Sequence, residues 1–220
     1  NSLVNIGTTE GNIIGDCAGN SIDIIITPTA SMGVVQGIFH TGNNNVNIQN
    51  NTVSGINIRN PASSAFVSLF HGIRANTSSA SASVTISNNI VGSYSTSSSI
   101  NNSTGNTYNS TNNIYTTGIY CHAGNNAGTT TISNNTVANI AFSSGANATT
   151  GGVQVIGIFR TSAPSNVIQN NEVNNLSSSS PFTGTGTNST VIGILFNVTT
   201  ASGHTITQNH IHSCSNSTAS

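Results

Sequence analysis

Chemistry near neutral pH needs side chains that ionise, attack or coordinate, and this chain carries few of them. Its carboxylates are Glu10, Asp16, Asp23 and Glu172, and its cations are Arg59, Arg74 and Arg160. Acid–base cleavage of a glycosidic bond uses paired carboxylates, and a calcium site gathers several carboxylate oxygens. Asp16 and Asp23 both fall near the start, Glu172 stands alone, and no arginine recurs beside any of them. The expectation is therefore a non-enzymatic chain with no catalytic, cofactor-binding or metal-binding residues. His210-Ile211-His212 places two imidazoles on one face of a strand, with His204 shortly before. That arrangement allows a weak metal site, but the plainer reading, exposed polar positions on a terminal coil, is preferred. His40, His71 and His122 sit at differing offsets from their repeat anchors and form no relay. Cys17, Cys121 and Cys214 are too widely separated for a zinc spacing, and they read as small buried residues. Cys121-His122 lacks a third partner for nucleophilic chemistry.

Composition removes further classes. Charged residues make up 3% of the chain, against about 25% in ordinary soluble domains. Nucleic-acid affinity rests on Lys and Arg neutralising phosphates, so no nucleic-acid partner is expected. No apolar run approaches the ~20 residues of a membrane helix, so no membrane span is expected either. The start at Asn1-Ser2-Leu3 reads as a processed chain or part of a longer one.

The elements that position these groups come from a repeat. Thr131-Ile132-Ser133-Asn134-Asn135-Thr136-Val137 has close copies at Asn47 to Val53, Thr85 to Val91, Val167 to Val173 and Thr205 to Ile211, with a weaker one at Gly11 to Gly15. The aligned asparagines are 39, 38, 46, 36 and 38 residues apart. A second anchor, Gly-Ile, recurs at Gly37-Ile38, Gly72-Ile73, Gly118-Ile119, Gly157-Ile158 and Gly193-Ile194. Ile, Val and Thr alternate with polar residues at period two, which is the signature of strands. One coil per repeat, each pairing in parallel with its neighbours, describes a solenoid. The entry coil is read over 1–33 and repeat coils over 34–220, as a single β-helix segment.

The Asn-Asn pair marks a sharp turn, because Asn is the residue other than Gly that best tolerates the left-handed conformation. Stacked coils place equivalent amides above one another, so each can donate to the next carbonyl oxygen. This predicts a structural ladder of Asn12, Asn51, Asn89, Asn135, Asn171 and Asn209, with Asn50, Asn88, Asn134, Asn170 and Gln208 as the adjoining column.

The pattern Gly-Ile-x-Phe, loop, Ile-x-Asn-Asn-x-Val resembles the parallel β-helix repeat of pectate-lyase-like proteins. The Ser/Thr/Gly/Asn-rich insertions and Val153-Gln154-Val155-Ile156-Gly157-Ile158-Phe159 are similar to large secreted repeat proteins of Bacteroidetes, which type IX secretion exports. The resemblance implies an all-β, right-handed parallel β-helix of five to six coils, with long polar insertions at one corner. The expected role is an extracellular or cell-surface structural or adhesive rod, or a filament segment. Its partners would be further coils of the same chain, like subunits or surface polysaccharide. A polysaccharide-binding or polysaccharide-degrading module is the alternative, although Tyr94, Tyr108, Tyr115 and Tyr120 cluster in one region and Trp is absent. An ice-binding solenoid is a minor third reading. Asn-x-Ser/Thr sequons such as Asn102-Ser103-Thr104 are expected by chance in so Asn-rich a chain.

Overall fold

A computed structural model describes residues 2–16, 20–27, 32–61, 68–77, 81–104, 114–123, 128–144, 153–161, 165–180, 185–198 and 203–217. The fold is a parallel β-solenoid whose strands fall into four sheets running along its axis. The first sheet stacks Leu3–Ile6, Asn45–Gln49, Val84–Ser87, Thr129–Ser133, Ser165–Gln169 and His204–Thr207. The second stacks the short strands Ile13–Ile14, Thr52–Val53, Ile90–Gly92, Thr136–Ala138, Glu172–Asn174 and His210–His212. The third runs from Ile22–Ile25 through Ile56–Asn60, Ile100–Thr104, Ile140–Ser144 and Ser177–Ser178 to Ser215–Asn216. The fourth holds the long strands Gly33–Gly42, Ser68–Thr77, Ile114–Ala123, Val153–Thr161 and Val191–Asn197. Among the described residues, each of the first five coils visits the four sheets in that order, and the last contributes strands to the first three. Four coils are packed on both sides, and a first and a last coil each lack a neighbour on one side. The solenoid thus has about four full turns, rather than the five to six coils expected from the repeat.

Register explains the recurring letters. In the first sheet the inward column reads Ile6, Ile48, Ile86, Ile132, Ile168 and Ile206. In the second it reads Ile14, Val53, Val91, Val137, Val173 and Ile211. Ile48, Ile86, Ile132, Ile168, Val53, Val91, Val137 and Val173 are all fully buried. Burying each such side chain stabilises the fold by about 1.5–3 kcal/mol, so like-on-like stacking is strongly favoured over a slipped register.

The Gly-Ile anchor belongs to the fourth sheet, where Ile38, Ile73, Ile119, Ile158 and Ile194 form one inward column. The preceding glycines face the valines of the second sheet across a narrow interior. A Cβ on Gly118 would lie 2.3 Å from Val137 Cγ1, and one on Gly72 would lie 2.3 Å from Val91 Cγ1. Gly157 meets Val173 and Gly193 meets Ile211 in the same way. The two sequence anchors are therefore the two halves of one contact, a β-branched side chain seated on bare backbone.

The insertions depart from the expected single corner. The turn between the first and second sheets is short in each of the last five coils, whereas the connections on both sides of the fourth sheet vary. Thr104 to Ile114 and Ser144 to Val153 lead into that sheet, and Thr77 to Val84 and Ala123 to Thr129 lead out of it. A further expansion, Gly92 to Ile100, lies between the second and third sheets of the third coil. Turns can lengthen there because the backbone is not held by the asparagine column. Parts of the polar insertions, 105–113, 145–152 and 181–184, and Tyr108 with them, lie outside the described residues.

Gly118→Ala is expected to destabilise the chain by about 1–3 kcal/mol through overpacking. Adding Val137→Ala should recover part of that loss. Urea titration of the two single variants and the double variant would then show a favourable coupling of about 1 kcal/mol or more, and simple additivity would refute the paired seat.

Candidate functional site

The predicted asparagines lie in one column at the turn between the first and second sheets, bonded coil to coil. Asn12 Nδ2 donates to Asn51 Oδ1 at 2.8 Å, Asn51 Nδ2 to Asn89 Oδ1 at 2.9 Å, and Asn89 Nδ2 to Asn135 Oδ1 at 2.9 Å. Asn135 Nδ2 continues to Asn171 Oδ1 at 3.0 Å, and Asn171 Nδ2 to Asn209 Oδ1 at 2.9 Å. Every Oδ1 from Asn51 to Asn209 also accepts the backbone N–H of the asparagine below, at 2.9–3.1 Å. Nδ2 of Asn89 reaches back to the Ile48 carbonyl at 2.9 Å, and that of Asn135 to the Ile86 carbonyl at 2.9 Å. One side chain thus ties three successive coils. Asn51, Asn89, Asn135 and Asn171 are each about 1% exposed, so these amides hold backbone groups that water does not reach.

The adjoining column has a different task. Asn50, Asn88, Asn134, Asn170 and Gln208 have φ of 60°, 56°, 55°, 54° and 54°, so the first residue of each pair makes the left-handed turn and the second makes the ladder. A second left-handed column, Gly55, Asn139, Asn175 and Ser213 at φ 64°, 56°, 51° and 55°, turns the chain into the third sheet. Its mixed composition hides it from a search for repeated letters.

The reactive side chains are dispersed. Cys121 faces the core and its thiol is pushed up by burial, while His122, its neighbour on the strand, faces outward. Cys121 and Cys214 are both free thiols, and Cys17 lies outside the described residues. His210 and His212 have ring centroids 4.5 Å apart, with His212 Nε2 3.6 Å from Glu172 Oε1. His204 belongs to the inward column of the first sheet and packs edge-on to Phe196 at 5.0 Å. Among the described residues, no three His, Cys, Asp or Glu side chains are placed to hold a metal ion. The outward Thr positions form no unbroken rank, because the column reads Asn5, Asn47, Thr85, Thr131, Val167 and Thr205.

The three arginines occupy three environments. Arg59 forms an exposed two-point ion pair with Asp23, which holds that carboxyl below its usual range. Arg160 is fully buried, donating to Asn166 Oδ1 at 2.5 Å, to the Cys121 carbonyl at 3.1 Å and to Thr130 Oγ1 at 3.0 Å. Thr130 and Asn166 stand where lower coils carry Val46 and Val84, so the aliphatic column gives way to acceptors where the guanidinium enters.

Arg74 belongs to the outward column of the fourth sheet, in register with Phe39, Tyr120, Phe159 and Leu195. Its guanidinium carbon lies 5.2 Å from the Phe39 ring centroid and 5.4 Å from that of Tyr120. Tyr120 stacks on Phe159 at 5.1 Å and leans on His71 at 4.9 Å. Tyr115 meets Phe159 at 5.4 Å. The position two after each repeat glycine supplies this column, so the sequence carried the signal in Gly-Ile-Phe, Gly-Ile-Arg and Gly-Ile-Tyr. This aromatic stripe with its embedded cation is the candidate functional face.

No family model, no curated protein and no solved structure matches this chain.

Two predictions follow from these amides and rings. Asn135→Ala strips the Asn89 N–H and the Ile86 carbonyl of buried partners and should cost about 2–4 kcal/mol. Asn134→Gly, which keeps the left-handed turn, should stay within about 0.5 kcal/mol, and equal losses in chemical denaturation would contradict this division. His71 is held down to about 3, mainly by burial and further by the charge of Arg74. An unfolded histidine protonates near 6.5, so below that value the unfolded state binds the extra proton. Stability should be full above about pH 6.5 and fall as the pH is lowered towards 3. His71→Gln should flatten that fall in thermal melts recorded across the window, and an unchanged slope would be the contrary result.

Proposed function

We propose that this chain is a section of a rigid, non-enzymatic extracellular rod, with a structural or adhesive role at a bacterial surface. The observation that supports this most is the unbroken stacking of one asparagine per coil through all six ladder positions, which fixes each coil on the next by hydrogen bonds that do not depend on charge. The partners are further coils of the same chain or like subunits, since the ladder leaves donors on Asn209 and an acceptor on Asn12 facing outward along the axis. The repeat's resemblance to large secreted Bacteroidetes proteins exported by type IX secretion supports a bacterial origin and that route to the surface.

A second reading is favoured by the outward column of Phe39, Tyr120 and Phe159. The exposed ring of Phe39 at the open end of that column, with Asn and Thr side chains on the outward side of the sheet, suits a sugar ring of a polysaccharide. The rod would then adhere through its fourth sheet. Cleavage of the polymer is the weaker form of this reading, as none of the four carboxylates is on the fourth sheet: Glu10, Asp16 and Asp23 belong to other elements of the first coil and Glu172 to the second sheet.

Electron microscopy of the native material, with the mass of the intact chain, tests the rod. Straight, narrow bodies with these coils as part of their length are the expected result. The melting midpoint should also be nearly constant from low to molar NaCl, because a chain with 3% charged residues has little electrostatic stability to screen. Compact particles that turn over a polysaccharide would overturn the proposal.

A further inference from the structure

The chain's positive charge is sparse, and one of its three arginines has neither a counter-charge nor a hydrogen-bond acceptor among the described residues. Arg59 has Asp23, and Arg160 has four neutral acceptors, counting the Thr161 carbonyl. Arg74 has no hydrogen-bond acceptor among the described residues, and its Nε is buried without a partner. Phe39 and Tyr120, one coil to either side, hold the guanidinium between their rings. A guanidinium so held keeps a fork of N–H donors that can meet an oxyanion at two points.

The surroundings favour an anion. Among the chain's carboxylates, Glu10 and Asp16 lie in connections of the first coil, Asp23 is on the third sheet and Glu172 on the second, so none is on the fourth sheet. The outward neighbours of Arg74 are His71, His122, Tyr120 and Phe39. Burial lowers both His71 and His122; the charge of Arg74 lowers His71 further, and the charges of Arg160 and then of Arg74 lower His122. Gln36, paired in register with His71, has a buried Oε1 without a partner, an acceptor suited to a ligand hydroxyl and not to its anionic group. The face opens towards the first coil: Phe39 is 45% exposed, whereas Phe159 is 6% exposed.

We propose that Arg74, held between Phe39 and Tyr120, is the oxyanion-reading residue of a binding face on the fourth sheet, and that its ligand is a carbohydrate polymer bearing carboxylate or sulfate groups. One cation among many amides and hydroxyls matches a ligand with many hydroxyls and occasional charges. It does not match the dense phosphates of a nucleic acid. Phe39, the exposed ring of the column, offers a flat face to a sugar ring, and Asn76, Thr161 and Asn197 lie on the outward side of the neighbouring strands. The rod proposal concerns what the coils build and does not depend on this ligand.

The test uses dextran oligosaccharides of matched length in neutral, carboxymethylated and sulfated forms, titrated calorimetrically into the intact chain. Binding of an anionic form that is weakened by NaCl, with the neutral form at least about tenfold weaker, is expected. Comparing the carboxymethylated and sulfated arms tells which oxyanion is preferred. Arg74→Gln should lose about tenfold or more of the anionic affinity and bring it to the neutral value. Arg74→Lys should restore only part, since an ammonium lacks the planar fork. Phe39→Ala should weaken both forms, and Arg59→Gln should change neither. Circular dichroism and melting of Arg74→Gln confirm that the variant is folded. Equal affinity for neutral and anionic forms, retention of anionic binding by folded Arg74→Gln, or no binding of either anionic form would each overturn the proposal. Straight rods in the microscope with no anionic binding would sink this inference and leave the rod standing.

Discussion

A solenoid is bound by one requirement above the rest: at each corner the backbone leaves its sheet, and the amides it exposes there must be satisfied without water. The asparagine ladder meets that requirement here. Asn51, Asn89, Asn135 and Asn171 each accept a backbone N–H from below, pass a side-chain bond upward and return one to an isoleucine carbonyl. Because each bond needs its neighbour at the strand spacing, the ladder holds the register of the sheets on either side. The Ile and Val columns then stack like on like, and the narrow interior that results requires glycine opposite each valine.

Much of this was legible in the letters. Ile132, Asn134, Asn135 and Val137 recur because each answers a constraint that every coil shares, so the fold class and the ladder could be read from spacing alone. What could not be read is equally specific. The pairing of Gly118 with Val137 joins two motifs far apart in each repeat, and neither motif names its partner. The roles of the two asparagines are indistinguishable as letters, since only the backbone shows that Asn134 turns and Asn135 bonds. The corner served by Gly55, Asn139, Asn175 and Ser213 tolerates several residue types, so it leaves no consensus. The Arg74 column was overlooked for the opposite reason: its positions change identity from coil to coil, and periodicity analysis attends to what stays constant.

That contrast divides the molecule by task. Inward positions and the asparagine corner repeat, because stacking rewards identity. The outward face of the fourth sheet varies, as do the connections on both of its flanks. Variation is tolerated there because those groups do not set the register, and it is where a sequence can acquire recognition without disturbing its scaffold. The departures inside the barrel are fewer and compensated. Arg160 enters the core only in the coils where Thr130 and Asn166 replace valine.

Every rung of the ladder points the same way, from donor to acceptor along the chain. The amide column is therefore a vector, and two bodies built on it can be joined without a break only with both arrows aligned. A rod assembled from such coils would have a distinguishable leading and trailing tip, and anything anchored at one of them would present the fourth sheet in a fixed sense relative to its support.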